Sequence, residues 1–183
     1  GRKNYANQKT KILLYASAEN LANYKGHIDD DGLAFNRHRW YNDNFQSEYF
    51  PWVHIAPITD GSLLIVLKYI CEQLGIEMPD TPIEFVESIA FANFGKFSIQ
   101  VKTKNIDYAK NKSKLDCSLP YIKSDLELLQ PDIIVMIKTM YKKERHHIDE
   151  MKGKARIIGI SQTNARTVNQ QIKIKYAMKN ESE

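Results

Sequence analysis

The chain has 183 residues, 43% of them apolar and 26% charged, the proportions of a globular protein and not of a disordered tail. Its apolar runs, none longer than that from Leu63 to Leu67, are far too short to cross a bilayer, and its two cysteines, Cys71 and Cys117, form neither a Cys-x-x-Cys pair nor a secreted disulfide framework. A net charge of +4 leaves room for an anionic partner, with lysines gathered at Lys102, Lys104, Lys110, Lys112 and Lys114 and a second basic cluster at Lys142, Lys143 and Arg145.

These bounds predict one domain over 1–183, with 1–9 a polar leader and 170–183 a polar tail. No basic-then-apolar leader opens the chain, so a cytoplasmic location is expected, with no membrane association. Both cysteines read as reduced thiols filling the core.

In chain order, "KILLYAS" from Lys11 to Ser17 is a short continuous apolar run, as in a buried parallel strand. From Lys25 to Pro57 periodicity vanishes and aromatics gather among polar residues, the composition of a functional loop. "TDGSLLIVLKYICEQLG" then predicts a helix with Leu63, Leu64, Leu67, Ile70 and Leu74 on its apolar face and Gly75 as its stop. A second helix starts at "TPIE", where Thr81 is the cap, Pro82 the first helical residue and Glu84 a first-turn acid. It runs into "IAFANF", the second strand.

Beyond the lysine-rich segment, "SLPYIKSDLELLQPD" predicts a helix with Ile122, Leu126 and Leu129 on one face, ended by Pro131. "DIIVMIK" is the third strand, "TMYKKERHHIDEMKG" a charged amphipathic helix closed by Gly153, and "ARIIGISQ" the fourth strand. Strands alternating with helices predict an α/β fold, a three-layer α/β/α sandwich around a mostly parallel four-stranded sheet. In such sheets ligands gather at the carboxyl ends of the strands, which here carry "ASAEN", "NFGKFS", "KTMY" and "SQTNAR".

No Walker sequence, no G-x-G-x-x-G and no G-x-S-x-G occurs, which leaves triphosphatase, dinucleotide and hydrolase-elbow chemistry without its main support. No cofactor is expected. Neither "HIDDDG" nor "RHHIDE" has zinc-ligand spacing, so His146 and His147 read as part of a solvated helix face and no metal is expected. Glu19, just past the first strand, is either a first-turn acid for a following helix or a carboxylate that orients water. Asn93 is either a turn former beside Gly95 or an amide able to read the edge of a planar base. Trp40, Tyr41, Phe45, Tyr49, Phe50 and Trp52, interleaved with Arg37 and Arg39, either pin a long loop to the core or offer a stacking face beside phosphate-binding cations.

Taken together, "KILLYASAEN", "IAFANFGKFS", "SDLELLQPDIIVMIKTMY" and "ARIIGISQTNAR" resemble, over about Lys11 to Arg166, the uracil-DNA glycosylase superfamily. The resemblance implies a ligand that is DNA or carries a nucleobase, and N-glycosidic base excision as the reaction, a DNA-repair hydrolysis. Carried over by position, it assigns Asn93 to the base edge, with Ser17, Asn20, Phe50 and Trp52 around the base. Glu19 falls to the water; in place of a family histidine, Gln162 and Asn164 are the candidates to hold the leaving base, and the chain's own cations Arg37, Arg39, Lys96 and Lys138 are the candidates for the nucleic-acid backbone. The chain departs from the family at three points: "ASAEN" lacks the Gly-Pro opening of the water loop, Lys138 stands in place of a glycine, and "ISQTNA" contains no histidine. The alternative expectation is a non-enzymatic interaction or scaffolding domain that holds a protein partner on the loop from Arg37 to Trp52.

Overall fold

The computed structural model describes residues 4–18, 59–80, 82–96, 100–101, 104–105 and 112–161. Strand β1 is Ile12–Ala18; α1 (Thr59–Gln73) and α2 (Pro82–Ser88) precede β2 (Ala90–Gly95); two-residue strands β3 (Gln100–Val101) and β4 (Lys104–Asn105) pair antiparallel; and α3 (Lys112–Leu129), β5 (Ile133–Ile137), α4 (Lys138–Met151) and β6 (Arg156–Ile160) complete the described chain. Four of these strands form one sheet in the order β2-β1-β5-β6, every neighbouring pair parallel. This is an α/β fold.

β1 and β5 occupy the middle of the sheet, and their runs of Ile, Leu, Val and Met are buried on both faces, as a parallel strand covered by helices requires. Each such side chain moved fully out of water contributes about 1.5–3 kcal/mol. Register fixes the faces. Tyr15 lies opposite Ala92 and Met136, and its hydroxyl reaches Asp125 of α3, so Leu13, Tyr15, Ala92, Phe94 and Met136 share the face that α3 covers. Helix α4 packs beside α3 and against β5 and β6, while α1 contacts β1 and α2 contacts β2.

At the amino edge, Asp132 ties three strands together. Its carboxylate accepts the Lys11 N–H at 2.8 Å, its N–H donates to the Lys11 carbonyl at 2.8 Å, and its carbonyl accepts the Arg156 N–H at 2.8 Å. Gly75 and Gly153 both take positive φ, 64° and 56°, just past α1 and α4, the conformation for which a helix stop favours glycine.

Several expectations need correction. Helix α3 starts at Lys112, not near Ser118, which leaves Pro120 inside it: the preceding lysines and leucine are good helix formers and extend the helix across the proline. The buried side of α1 includes Leu67, Lys68 and Cys71, whereas Leu74 is exposed because α1 ends at Gln73 and Leu74 already belongs to the turn into Gly75. Cys71 fills the core as expected, but Cys117 is exposed, one position round the helix from buried Ser118. The β3–β4 pair was not expected, since two-residue strands are too short to show alternation. Among the described residues no helix is long and apolar enough to cross a membrane.

Candidate functional site

Strand order locates the crevice that an open parallel sheet offers to a ligand. From β1 the chain crosses to β2 on one side, whereas β5 leads to β6 on the other, so the connections part at the carboxyl ends of β1 and β5. Ala18 ends β1 there, and on β5 Ile137 is followed directly by Lys138, the first residue of α4. Among the described residues the start of α4 has no side-chain cap and its first turn contains no acid, so the helix itself brings no counter-charge to its positive end at this edge. Lys138 is exposed, and its stem runs beside Gly159 of β6, where an added Cβ would meet Lys138 Cβ and Cγ at 3.4 Å.

Asn93 lies within β2, not beyond it. It is half-buried and in register with Ala16, and the strand continues through Phe94 to a buried Gly95 that does not take positive φ. A turn at Asn93 is thereby excluded. Alternation puts Asn93 on the face opposite Phe94 and Tyr15, away from α3.

On the α3 face sits a polar cluster that the sequence reading missed. Asp125 accepts the Tyr15 hydroxyl at 2.9 Å and pairs with the Lys96 ammonium, which lies 5.4 Å from the centroid of the Tyr15 ring. Phe94 meets the same ring edge-on, centroids 5.6 Å apart, and the Lys96 N–H donates to Ser118 Oγ at 3.0 Å. Burial, then the Asp125 charge and the hydrogen bond to it, push the Tyr15 phenol far above its ordinary range, so it serves as a donor and not as an acid. One signal was legible: Asp125 sits on the inward stripe with Ile122, Leu126 and Leu129, where an acid needs a partner.

Two buried charged groups, Lys68 and Glu144, stand apart from this cluster. Lys68, 6% exposed, donates to the Pro79 carbonyl at 2.8 Å and Asp80 Oδ1 at 3.0 Å and lies 5.8 Å from the Phe85 ring centroid, pinning the α1–α2 connection. Glu144, 2% exposed, shares the inward stripe of α4 with Met140 and Ile148, yet its Oε2 has no hydrogen-bond partner among the described residues. Its backbone is non-helical (φ −104°, ψ 15°), so α4 kinks at this residue. His146 and His147 are exposed on α4, His146 Nδ1 lying 3.1 Å from Glu150 Oε1. Among the described residues no group of three or more His, Cys, Asp or Glu side chains could hold a metal ion.

Of the residues named from sequence, Asn93, Lys96 and Lys138 are placed with their side chains, and Ser17 with its backbone in β1. Lys96 stands not as an open cation but in the pair with Asp125. Glu19, Asn20, Arg37, Arg39, Phe50, Trp52, Gln162 and Asn164 lie outside the described residues. Compared with known proteins, the chain matches no family model, no curated protein and no solved structure.

Proposed function

We propose that this domain is a uracil-DNA-glycosylase-like protein that takes DNA or a nucleobase-containing ligand at the carboxyl edge of its sheet. The observation that carries the reading is the parting of the connections between β1 and β5, with Asn93 one strand away on β2 and Lys138 at the start of α4. A carboxamide offers one donor and one acceptor side by side, the pattern that matches the edge of a base, and an exposed lysine beside an uncapped helix start suits a phosphate.

Base excision would ask more of the chain: a flipped nucleotide, a positioned water and a donor to the leaving base. Glu19 is our candidate for the water, and Gln162 and Asn164 for the leaving base. Ser17, Asn20, Phe50 and Trp52 would surround the base, with Arg37 and Arg39 joining Lys138 on the backbone. Lys96 is removed from that set because its ammonium is engaged by Asp125.

The test is binding of single- and double-stranded oligonucleotides that contain uracil, followed by assay for abasic product. Binding that weakens steeply with salt supports the reading, since bound lysines and arginines release counterions. A second reading, a protein-interaction domain without catalysis, is favoured by Tyr121 and Leu128, two exposed large apolar side chains seven residues apart on α3. Indifference to DNA and RNA at low salt would favour it.

A further inference from the structure

β2 ends at a glycine, the one residue of the strand with no side chain to hold its register. Among the described residues β2 pairs on one side only, with β1, and a glycine separates Asn93 and Phe94 from Lys96. Glycine in a strand loosens it, and a slip of one residue would carry every side chain to the other face. Asn93 would then turn toward α3.

Three contacts on the α3 side oppose such a slip. Phe94 stacks edge-on against Tyr15, the Lys96 N–H is bound by the buried Ser118, and the Lys96 ammonium is held by Asp125, which also holds the Tyr15 hydroxyl. Asp125 therefore joins β1 and the residue after β2 through a single carboxylate on α3. Phe94 and Lys96 are fixed to one face, and alternation leaves Asn93 no choice but the other.

We propose that Lys96 is a positioning residue: with Asp125, Tyr15 and Ser118 it locks the parity of the β2 end and so determines the face on which Asn93 presents its carboxamide. This inference rests on the proposed function for the identity of what Asn93 reads, a nucleobase edge, but not for the lock itself. Lys96 and Asp125 are only 18% and 26% exposed at their side chains, so the pair is more than a screened surface contact.

The experiment compares the wild-type chain with Lys96→Met, Lys96→Arg and Asp125→Asn. Amide hydrogen exchange is read residue by residue, and affinity is measured for oligonucleotides carrying either uracil or an abasic site. Exchange at Asn93 to Gly95 should rise about tenfold or more in Lys96→Met and Asp125→Asn, stay near wild type in Lys96→Arg, and be unaltered at Ile134 to Ile137 in all three. The preference for uracil over the abasic site should shrink with the same ranking while the dependence on salt stays unchanged. Wild-type exchange at Asn93 to Gly95 in Lys96→Met would overturn the lock, whether or not DNA binds. A salt slope flattened by about 0.7–0.9 in Lys96→Met would also overturn it, by showing that Lys96 contacts a phosphate. Wild-type protein that binds neither oligonucleotide defeats the proposed function alone, and the exchange data still decide the lock.

Discussion

The Tyr15 hydroxyl donates to Asp125 at 2.9 Å, joining β1, one of the two central strands of the sheet, to the inward stripe of α3. Replacing Tyr15 by Phe keeps the ring under Lys96 and against Phe94 and removes only this bond. A half-buried carboxylate then loses one of its two donors, which should lower stability by about 1–2 kcal/mol. In urea unfolding the midpoint should fall with the slope unchanged. An unaltered midpoint would show that Lys96 alone satisfies Asp125.

The two cysteines should differ sharply in reactivity. Cys71 is buried in α1, and burial pushes its thiol up to about 11, so at neutral pH it is neither accessible nor a thiolate. Cys117 is exposed on α3. A thiol reagent at pH 8 should label one cysteine in the native chain, Cys117, and both after denaturation, with peptide mass spectrometry giving the positions. Native labelling of Cys71 would contradict the packing of α1.

Glu144 is a burden on the fold. A carboxylate among Met140 and Ile148 with one oxygen unpartnered among the described residues is costly, and an apolar residue of similar volume is often stabilising in that setting. Glu144→Leu should raise stability by about 1–2 kcal/mol. A lower melting temperature would mean that the carboxylate supports the kink in α4.

Alkaline pH should weaken the fold through Tyr5. Burial, then the charge of Asp132, push its phenol from the ordinary 10.0 up to about 12, and its hydroxyl donates to the Leu129 carbonyl at 3.1 Å. The folded chain thus holds this proton when the unfolded chain has released it. Tyr5 contributes its full stabilisation below about pH 10, and stability falls as pH rises from about 10 to about 12. Tyr5→Phe should flatten that part of the stability–pH curve; an unchanged slope would remove Tyr5 as its source.

The fold was largely legible because both kinds of element carried their own period and their own punctuation. Continuous apolar runs marked β1, β2, β5 and β6 to within a residue or two, and Gly75 and Gly153 marked helix ends because both positions need positive φ. Much less of the site could be read. Asn93 had two readings from sequence, and the turn fell only when the ladder was seen to run on to Gly95. Lys96 looked like a free cation because nothing local indicates that Asp125, 29 residues later, will lie beside it. Glu144 falls at helical spacing between Met140 and Ile148, so the stripe itself was legible, but a run as charged as "YKKERHHIDE" reads as a solvated face. Local periodicity reports which way a residue faces in an ideal element and is silent on long-range polar partners.

The central claim, that the carboxyl edge reads a nucleobase through Asn93, is tested most directly by fluorescence anisotropy with a uracil-containing oligonucleotide over a salt series, for wild type and Asn93→Asp. The wild-type chain should bind with log K falling against log salt at a slope of about −2 to −3, as a few phosphate contacts require. Asn93→Asp should bind about 10–100-fold more weakly at the same slope, losing the base edge but not the backbone, and should melt near the wild-type temperature. Equal affinity of the two proteins for the uracil oligonucleotide, or no binding by either at low salt, would contradict the claim.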